Sequence, residues 1–227
     1  MATVQGHRLT YRYRERQRLT VKRVLRSLLY SLFLIFHPND AFWDLKYERR
    51  GNVPAASIIL GLVVLGYIFT RQSLGFIFNP VDLTKLNIVT EMASVLVPFF
   101  LWCIVNWSLT TLMSGKGTLR DIYIASAFAL TPLIIVNIPV TIVSNVLILE
   151  EGPFIAVLAV MATLWSGLLL FIGTMVTHEY DTTKTAFTCV LIVAGMTAVL
   201  FLAILFFSLL NQAYVFAKSV YREILFR

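Results

Sequence analysis

Charged residues are scarce in this chain. Only 14% of its 227 residues are Asp, Glu, Lys or Arg, whereas 58% are hydrophobic. A soluble domain usually carries about 25% charged residues, and a compact soluble fold cannot bury so much apolar surface. The composition excludes a typical soluble enzyme, a disordered tail and a nucleic-acid-binding domain, and it indicates an integral membrane protein.

Residues that carry chemistry are also few. The two cysteines both fall within apolar runs, so neither a disulfide framework nor a zinc site is indicated. His178-Glu179 resembles the start of HExxH, but Thr182 stands where the second metal ligand would be. Gly115–Thr118 lacks the spacing of a phosphate-binding loop and is interpreted as a tight turn whose last residue caps a helix. We therefore expect no metal, no cofactor and no enzymatic activity.

Lysine and arginine are concentrated at the start of the chain, where residues 1–52 hold eleven of the 19. Residues 1–17 have no apolar period and are predicted to form a basic cytoplasmic tail without a cleavable signal. Residues 18–52 are predicted to be an amphipathic region that lies in the membrane interface, and the alternative for residues 18–36 is a helix packed under the bundle. The candidates for contact with the membrane surface are Lys22, Arg23 and Arg26.

A second amphipathic stretch follows the helix stop predicted at His37-Pro38. Its aromatic pair lies beside charges of both signs, which is typical of the interface between membrane and water. We expect this stretch to bind a partner protein. The candidate contact residues are Phe42, Trp43, Asp44, Lys46, Arg49 and Arg50.

Long apolar runs fill the rest of the chain, and each is long enough to cross about 30 Å of hydrocarbon. We predict an all-α, polytopic bundle of five transmembrane helices within residues 53–216, preceded by the amphipathic helix and followed by a short tail, 217–227. The runs are about 53–78, 90–113, 119–148, 153–177 and 185–216. Candidates for helix bends, because proline lacks a backbone donor, are Pro98, Pro132 and Pro139.

The distribution of Lys and Arg predicts the orientation, because cytoplasmic loops are enriched in these residues. With the N-terminus inside, the inner segments hold 14 of them and the outer segments 5. The prediction is a multi-pass protein of the plasma membrane with a cytoplasmic N-terminus and an outer C-terminus.

Three asparagines lie deep in the apolar runs, at Asn106, Asn137 and Asn145. Asparagine amides can join helices by hydrogen bonds, or they can line a polar pathway. No acid or base falls clearly at the middle of any run, so proton-coupled transport is not expected.

Four stretches of the chain resemble the Yip1-domain family, its bacterial branch in particular. They are HPNDAFWDLKYERRGN, GTLRDIYIASAFALTPLIIVNIP, LWSGLLLFIGTMVTHEYDTTKT and LNQAYVFAKSVYREILFR, and the resemblance covers about residues 36–227. It implies five helices, a cytoplasmic N-terminus and a role in binding partners rather than in catalysis.

The resemblance also bears on the partner. Eukaryotic relatives bind small GTPases and carry a DLYGP-like motif, which this chain lacks. Bacterial members look like accessory proteins, some of which accompany carbohydrate-importing ABC transporters. We therefore expect a scaffold or accessory subunit that contacts the bilayer and a membrane protein such as ABC-transporter subunits, and neither a small GTPase nor nucleic acid.

Two alternatives stay open at this point. A small-solute or lipid transporter would use the asparagines and prolines to line a cavity between bent helices. A membrane-shaping protein would use the interfacial helix as a wedge.

Overall fold

The computed structural model describes residues 24–78 and 86–225. All regular structure in these ranges is helical. Residues 1–17, Lys22 and Arg23, for which sequence-based predictions were made, lie outside the described residues. The helices in these ranges are α1 (Val24–Phe36), α2 (Pro38–Tyr47), α3 (Val53–Ser73), α4 (Ile88–Leu112), α5 (Leu119–Ala129), α6 (Thr131–Val143), α7 (Gly152–His178) and α8 (Thr182–Leu225), and a 3-10 turn lies at Leu149–Glu151.

Within the described residues, five helical segments are long and apolar enough to cross a membrane. They are α3, α4, the consecutive pair α5 and α6, α7 and α8, and the short apolar helix α1 precedes them. The predicted all-α class with five spans is therefore confirmed. The protein is a multi-pass membrane protein.

Successive spans run in opposite directions, so the bundle has two ends. One end carries α2, the turn at Met113–Thr118 and the turn at Glu179–Asp181, and we call it the α2 end. The other carries the last turn of α3 and residues 144–151, and we call it the opposite end.

Side chains cap the helices that start at the α2 end, because the first backbone N–H groups of a helix have no partner within it. The Asn52 side chain accepts from the Ala55 N–H at 2.8 Å. Thr118 forms a reciprocal capping box with Asp121 at the start of α5, which confirms its predicted role as N-cap. Glu179 ends α7 in the left-handed conformation, with φ 57°.

The third span is interrupted in its middle. Helix α5 ends at Ala129, and α6 begins at Thr131 with Pro132 in its first turn. A proline inside a continuous helix would clash with the carbonyl four residues earlier, that of Phe128. That carbonyl instead accepts a 2.6 Å hydrogen bond from the Thr131 hydroxyl. Pro98 and Pro139, by contrast, lie inside α4 and α6.

The core of the bundle surrounds α5. Phe128 and Ile122 are almost fully buried there, against Ile59 of α3 and Leu169 of α7. Small residues allow this close packing; Ala55, Ala56, Ala127 and Ala129 are all completely buried.

Helix α8 is peripheral and unusually long. Its 44 residues extend about 66 Å at 1.5 Å per residue, whereas α7 has only 27 residues. It packs mainly against α4 and, less, against α7. Residues 204–224 are exposed, and the helix continues without interruption through the tail boundary predicted at 216/217.

Gly75 provides the tightest contact at the opposite end. Its N–H donates to the Ser144 Oγ at 2.9 Å, and a Cβ at this position would lie 2.3 Å from the Ser144 backbone oxygen. We expect Gly75→Ala to lower the free energy of unfolding by about 1–3 kcal/mol, because backbone must move to relieve the overlap. Thermal unfolding in detergent measures this.

Gly61→Ala is the matched control, since a Cβ there meets nothing within 4 Å. That variant should be unchanged or slightly stabilised, because alanine favours a helix over glycine. Equal stability of the two variants would contradict the prediction.

Candidate partner-binding surface

Helix α2 lies across the α2 end of the bundle, against α7 and α5. The break before it arises because Pro38 starts a new helix after His37. Asp40 in the first turn and Lys46 in the last turn complement the helix dipole. One face, formed by Ala41, Phe42 and Leu45, is buried.

Phe42 anchors this buried face. Its side chain is only 2% exposed, and a Cβ added to Gly173 would lie 3.1 Å from two of its ring atoms. Glycine in α7 therefore provides the space that the phenyl ring fills. Phe42 was predicted as a partner contact, but the structure places it inside the protein.

Glu179 joins three segments at the α2 end. Its carboxylate accepts from Lys46 of α2 at 2.8 Å and from Lys116 of the turn before α5 at 2.5 Å, and the Tyr47 hydroxyl also donates to it. The hydrogen bonds from Lys116, Lys46 and Tyr47 lower the pKa of Glu179 from 4.5 to about 2. The carboxylate is therefore fully ionised at neutral pH and holds α2 on the bundle.

A second polar network fastens α1 to the end of α2. The Tyr30 hydroxyl donates to Asp44 at 2.6 Å, and Arg50 forms an ion pair with the same carboxylate at 3.3 Å. The Ser27 hydroxyl donates to the Arg50 backbone oxygen at 2.6 Å. Burial and the bond to Asp44 raise the pKa of Tyr30, so its hydroxyl keeps the proton that it donates.

The outer face of α2 remains exposed. Trp43 and Tyr47 are 51% and 47% exposed, and their ring centroids are 4.9 Å apart. Arg49 follows them, is exposed, and has a positive φ of 53°. Two of the six predicted contact residues, Trp43 and Arg49, thus lie on the surface and take no part in the Glu179 contacts or in the network around Asp44. Three others, Asp44, Lys46 and Arg50, form these contacts and hold α2 in position.

Helix α1 continues this surface with apolar side chains. Its inner side buries Ser27, Ser31 and Leu34, and Arg26 is exposed. Its outer side carries a stripe at helical spacing, consisting of Leu25, Leu29, Leu32, Phe33 and Phe36, all of them exposed.

Below α2, the side chain of His178 is almost completely buried, at 1% exposure. Its Nδ1 accepts from the Gly117 N–H at 3.4 Å, so Nε2 carries the proton of the neutral ring. Nε2 and the Oδ1 of Asn106 both lack a hydrogen-bond partner among the described residues. Both residues line one cavity of about 10 Å³, which has room for a single water.

Asn137 and Asn145 lie elsewhere. Asn145 was predicted to lie deep in a span, but it is exposed and follows the last residue of α6. Asn137 lines a larger cavity between the spans. The Asn145 amide donates to backbone oxygens of Ser73 and Thr141 at the opposite end. The structure therefore does not bring the three asparagines together.

Sequence reasoning missed Glu179 and Lys116 as parts of this site. Each lies in a loop between spans, and nothing local shows that they meet at α2. The two glycines of the turn before α5 are the local sign in the sequence that this turn packs closely against another part of the chain. A Cβ at Gly115 or Gly117 would come within 3.0 Å of His178 ring atoms. The turn therefore needs glycine at these positions to pass over the ring.

Within residues 24–78 and 86–225, no group of three or more His, Cys, Asp or Glu side chains is placed to hold a metal.

The fold and this surface define a polytopic helical membrane protein with an amphipathic helical hairpin at one end. The Yip1 domain family model matches residues 32–207, which is more than three quarters of the chain. The chain therefore belongs to the Yip1 domain family, as its sequence motifs predicted. No curated protein and no solved structure matches it.

The Glu179 contacts predict how the docking of α2 depends on pH. Because its pKa is lowered from 4.5 to about 2, the stabilising contribution is complete above about pH 4.5 and is lost as the pH falls towards 2. Glu179→Gln should cause a similar loss at neutral pH, with protection of the α2 amides reduced about two- to fivefold. Hydrogen exchange, corrected for intrinsic rates at each pH, measures this.

Glu48→Gln is the control, since it also removes a carboxylate but one that pairs with Arg50 in the same segment. Equal protection of α2 in the wild type and Glu179→Gln would show that the carboxylate does not hold the helix.

The cavity between Asn106 and His178 predicts energetic coupling. We expect one water to accept from His178 Nε2–H and to donate to Asn106 Oδ1. Asn106→Leu or His178→Phe alone should destabilise the protein, because each leaves a buried polar group unpaired. The double variant should cost less than the sum of the two, with a coupling of about 1 kcal/mol.

Asn145→Leu combined with His178→Phe is the control cycle. Asn145 forms its own bonds at the opposite end, so these two effects should add. Additivity for Asn106 and His178 as well would contradict the shared water. Thermal unfolding of the four proteins in each cycle gives both results.

Proposed function

We propose that this protein is a non-enzymatic membrane scaffold or accessory subunit, and that it binds another membrane complex through the exposed face of α2. Membership in the Yip1 domain family supports a membrane role. The observation that carries the proposal is the exposed pair Trp43 and Tyr47 on α2, followed by the exposed Arg49 just after the helix. The opposite face of α2 is fixed to the bundle.

The chemistry of this group suits a protein partner. Trp, Tyr and Arg are the residues that most often dominate the binding energy of interfaces. Phe42 and the Glu179 contacts already hold α2 in place, so little conformational freedom is lost when a partner binds. The predicted contact residues thus divide between two roles: some hold α2 in position, and Trp43 and Arg49 meet the partner.

The α1 stripe supports a location at the membrane surface. Leu25, Leu29 and Phe36 are exposed apolar side chains beside the exposed Arg26, which is typical of a helix lying in the interface. In this arrangement α1 lies in the headgroup layer and α2 faces a neighbouring membrane protein. The same stripe favours membrane shaping as the second candidate function.

We further propose that the α2 end faces the cytoplasm and that the membrane is the plasma membrane. The excess of Lys and Arg in the segments at this end supports that orientation. The partner to test first is a carbohydrate-importing ABC transporter, to which the resemblance of the sequence points.

The combined variant Trp43→Ala, Arg49→Glu tests the proposal. It should lower co-purification with the transporter's membrane subunits at least about tenfold, because loss of an aromatic anchor and reversal of a charge remove contacts of the hot-spot type. Affinity purification in mild detergent, followed by quantitative mass spectrometry, measures this. Thermal stability should stay unchanged, since neither side chain is buried.

Tyr214→Ala, Tyr221→Ala is the control, with two exposed tyrosines of α8 far from α2. Co-purification unaffected by the α2 variant would overturn the proposed surface. If that result came together with tubulation of vesicles by the purified protein, lost on deletion of residues 1–36, the membrane-shaping function would replace it.

A further inference from the structure

A cavity of about 300 Å³ lies inside the bundle beside the interruption of the third span. Leu130 lines it at the break between α5 and α6, Leu133 lines it from the first turn of α6, and Pro98 lines it from α4. Pro98 is also exposed, so the cavity opens on the flank of the bundle beside α4. Its volume lies at the lower end of the range for small-molecule sites.

The cavity lies at the depth of the lipid chains. Trp102 lines the cavity and lies ten residues before the last residue of α4. Ten helical residues extend roughly 15 Å. Trp102 is therefore near the middle of a hydrocarbon layer about 30 Å thick. Tyr67 and Asn137 lie closer to the opposite end, each six residues before the last residue of its helix. A ligand must therefore reach the opening through the bilayer rather than from water.

The wall is apolar, with a few polar groups. None of the described residues that line it is charged. The indole N–H of Trp102 is buried and has no hydrogen-bond partner among the described residues. A buried indole N–H usually finds an acceptor, and in hydrocarbon an unpaired donor is costly. Tyr67 and Asn137 are the other lining residues with polar side-chain groups.

We propose that this cavity binds a neutral lipid: a long apolar chain that carries an uncharged hydroxyl or carbonyl oxygen, with that oxygen accepting from the Trp102 indole. A phospholipid does not meet this requirement, because its oxygens stay in the headgroup layer and its charge has no partner in the wall. An uncharged oxygen can enter the hydrocarbon at the depth of Trp102. This binding site is independent of the docking surface on α2.

Photolabelling in lipid nanodiscs tests the site. The probe is a long-chain fatty alcohol with a photoreactive diazirine at mid-chain, and its adducts are mapped by tandem mass spectrometry. We expect saturable adducts on cavity-lining residues of α4 and α6, displaced by excess unlabelled alcohol. The corresponding fatty acid, tested at about pH 9, where its carboxylate is charged although the membrane environment raises its pKa, should label these residues several-fold less.

Two variants with matched controls separate the site from general contact with lipid. Leu133→Trp fills the cavity and should reduce saturable labelling at least about fivefold, whereas Ile135→Trp, at an exposed position of the same helix, should not. Trp102→Phe removes the N–H donor together with part of the ring and should weaken binding about three- to tenfold. Trp107→Phe, an exposed tryptophan of α4, should leave it unchanged.

The opposite results overturn the proposal. Labelling that does not saturate, and that is equally strong at exposed Phe206 of α8, indicates ordinary boundary lipid. Labelling unaffected by Trp102→Phe removes the assigned hydrogen bond, and this variant tests the site even if Leu133→Trp fails to fold. Because co-purification through α2 is a separate readout, either proposal can fail without the other.

Discussion

The interior of a bilayer offers no water to pair with polar groups, and this constraint governs the whole arrangement of the chain. The backbone N–H and C=O groups of the spans form their hydrogen bonds within helices. The principal polar contacts between spans lie at the two ends of the bundle. At the α2 end, Glu179 joins three segments. At the opposite end, Gly75 bonds to Ser144 and Arg71 pairs with Glu91 at 3.4 Å. Asn106, His178 and Trp102 differ from this pattern, because each has a buried polar atom without a hydrogen-bond partner among the described residues.

Helix α2 has one face that attaches it to the bundle and an opposite, exposed face that we propose as a docking surface. Phe42 fits against Gly173, and the lysine beside it reaches Glu179. This attachment decides which side of α2 faces outward, and it leaves Trp43 and Tyr47 at the surface. An exposed aromatic pair on a helix held in a fixed position suits a docking surface, because a preorganised surface loses little conformational entropy on binding.

The break in the third span has a local cause, and a cavity lies beside it. Pro132 cannot continue the helix of α5, so the chain starts a new helix at Thr131. Leu130 at the break and three residues of α6 line the cavity together with residues of neighbouring spans. None of the described lining residues is charged, and this is the property on which the proposed binding of a neutral lipid rests.

The sequence by itself determined the number of spans, the helical class and the family, because hydrophobic length and turn signals are local properties. It also identified the Thr118 cap. Only the tertiary structure decided that Phe42 is core and Trp43 is surface, since adjacent residues of one helix point in different directions and the position of α7 selects the buried side. It alone brought Glu179 to Lys46 and Lys116, because contacts between distant loops depend on how the helices pack.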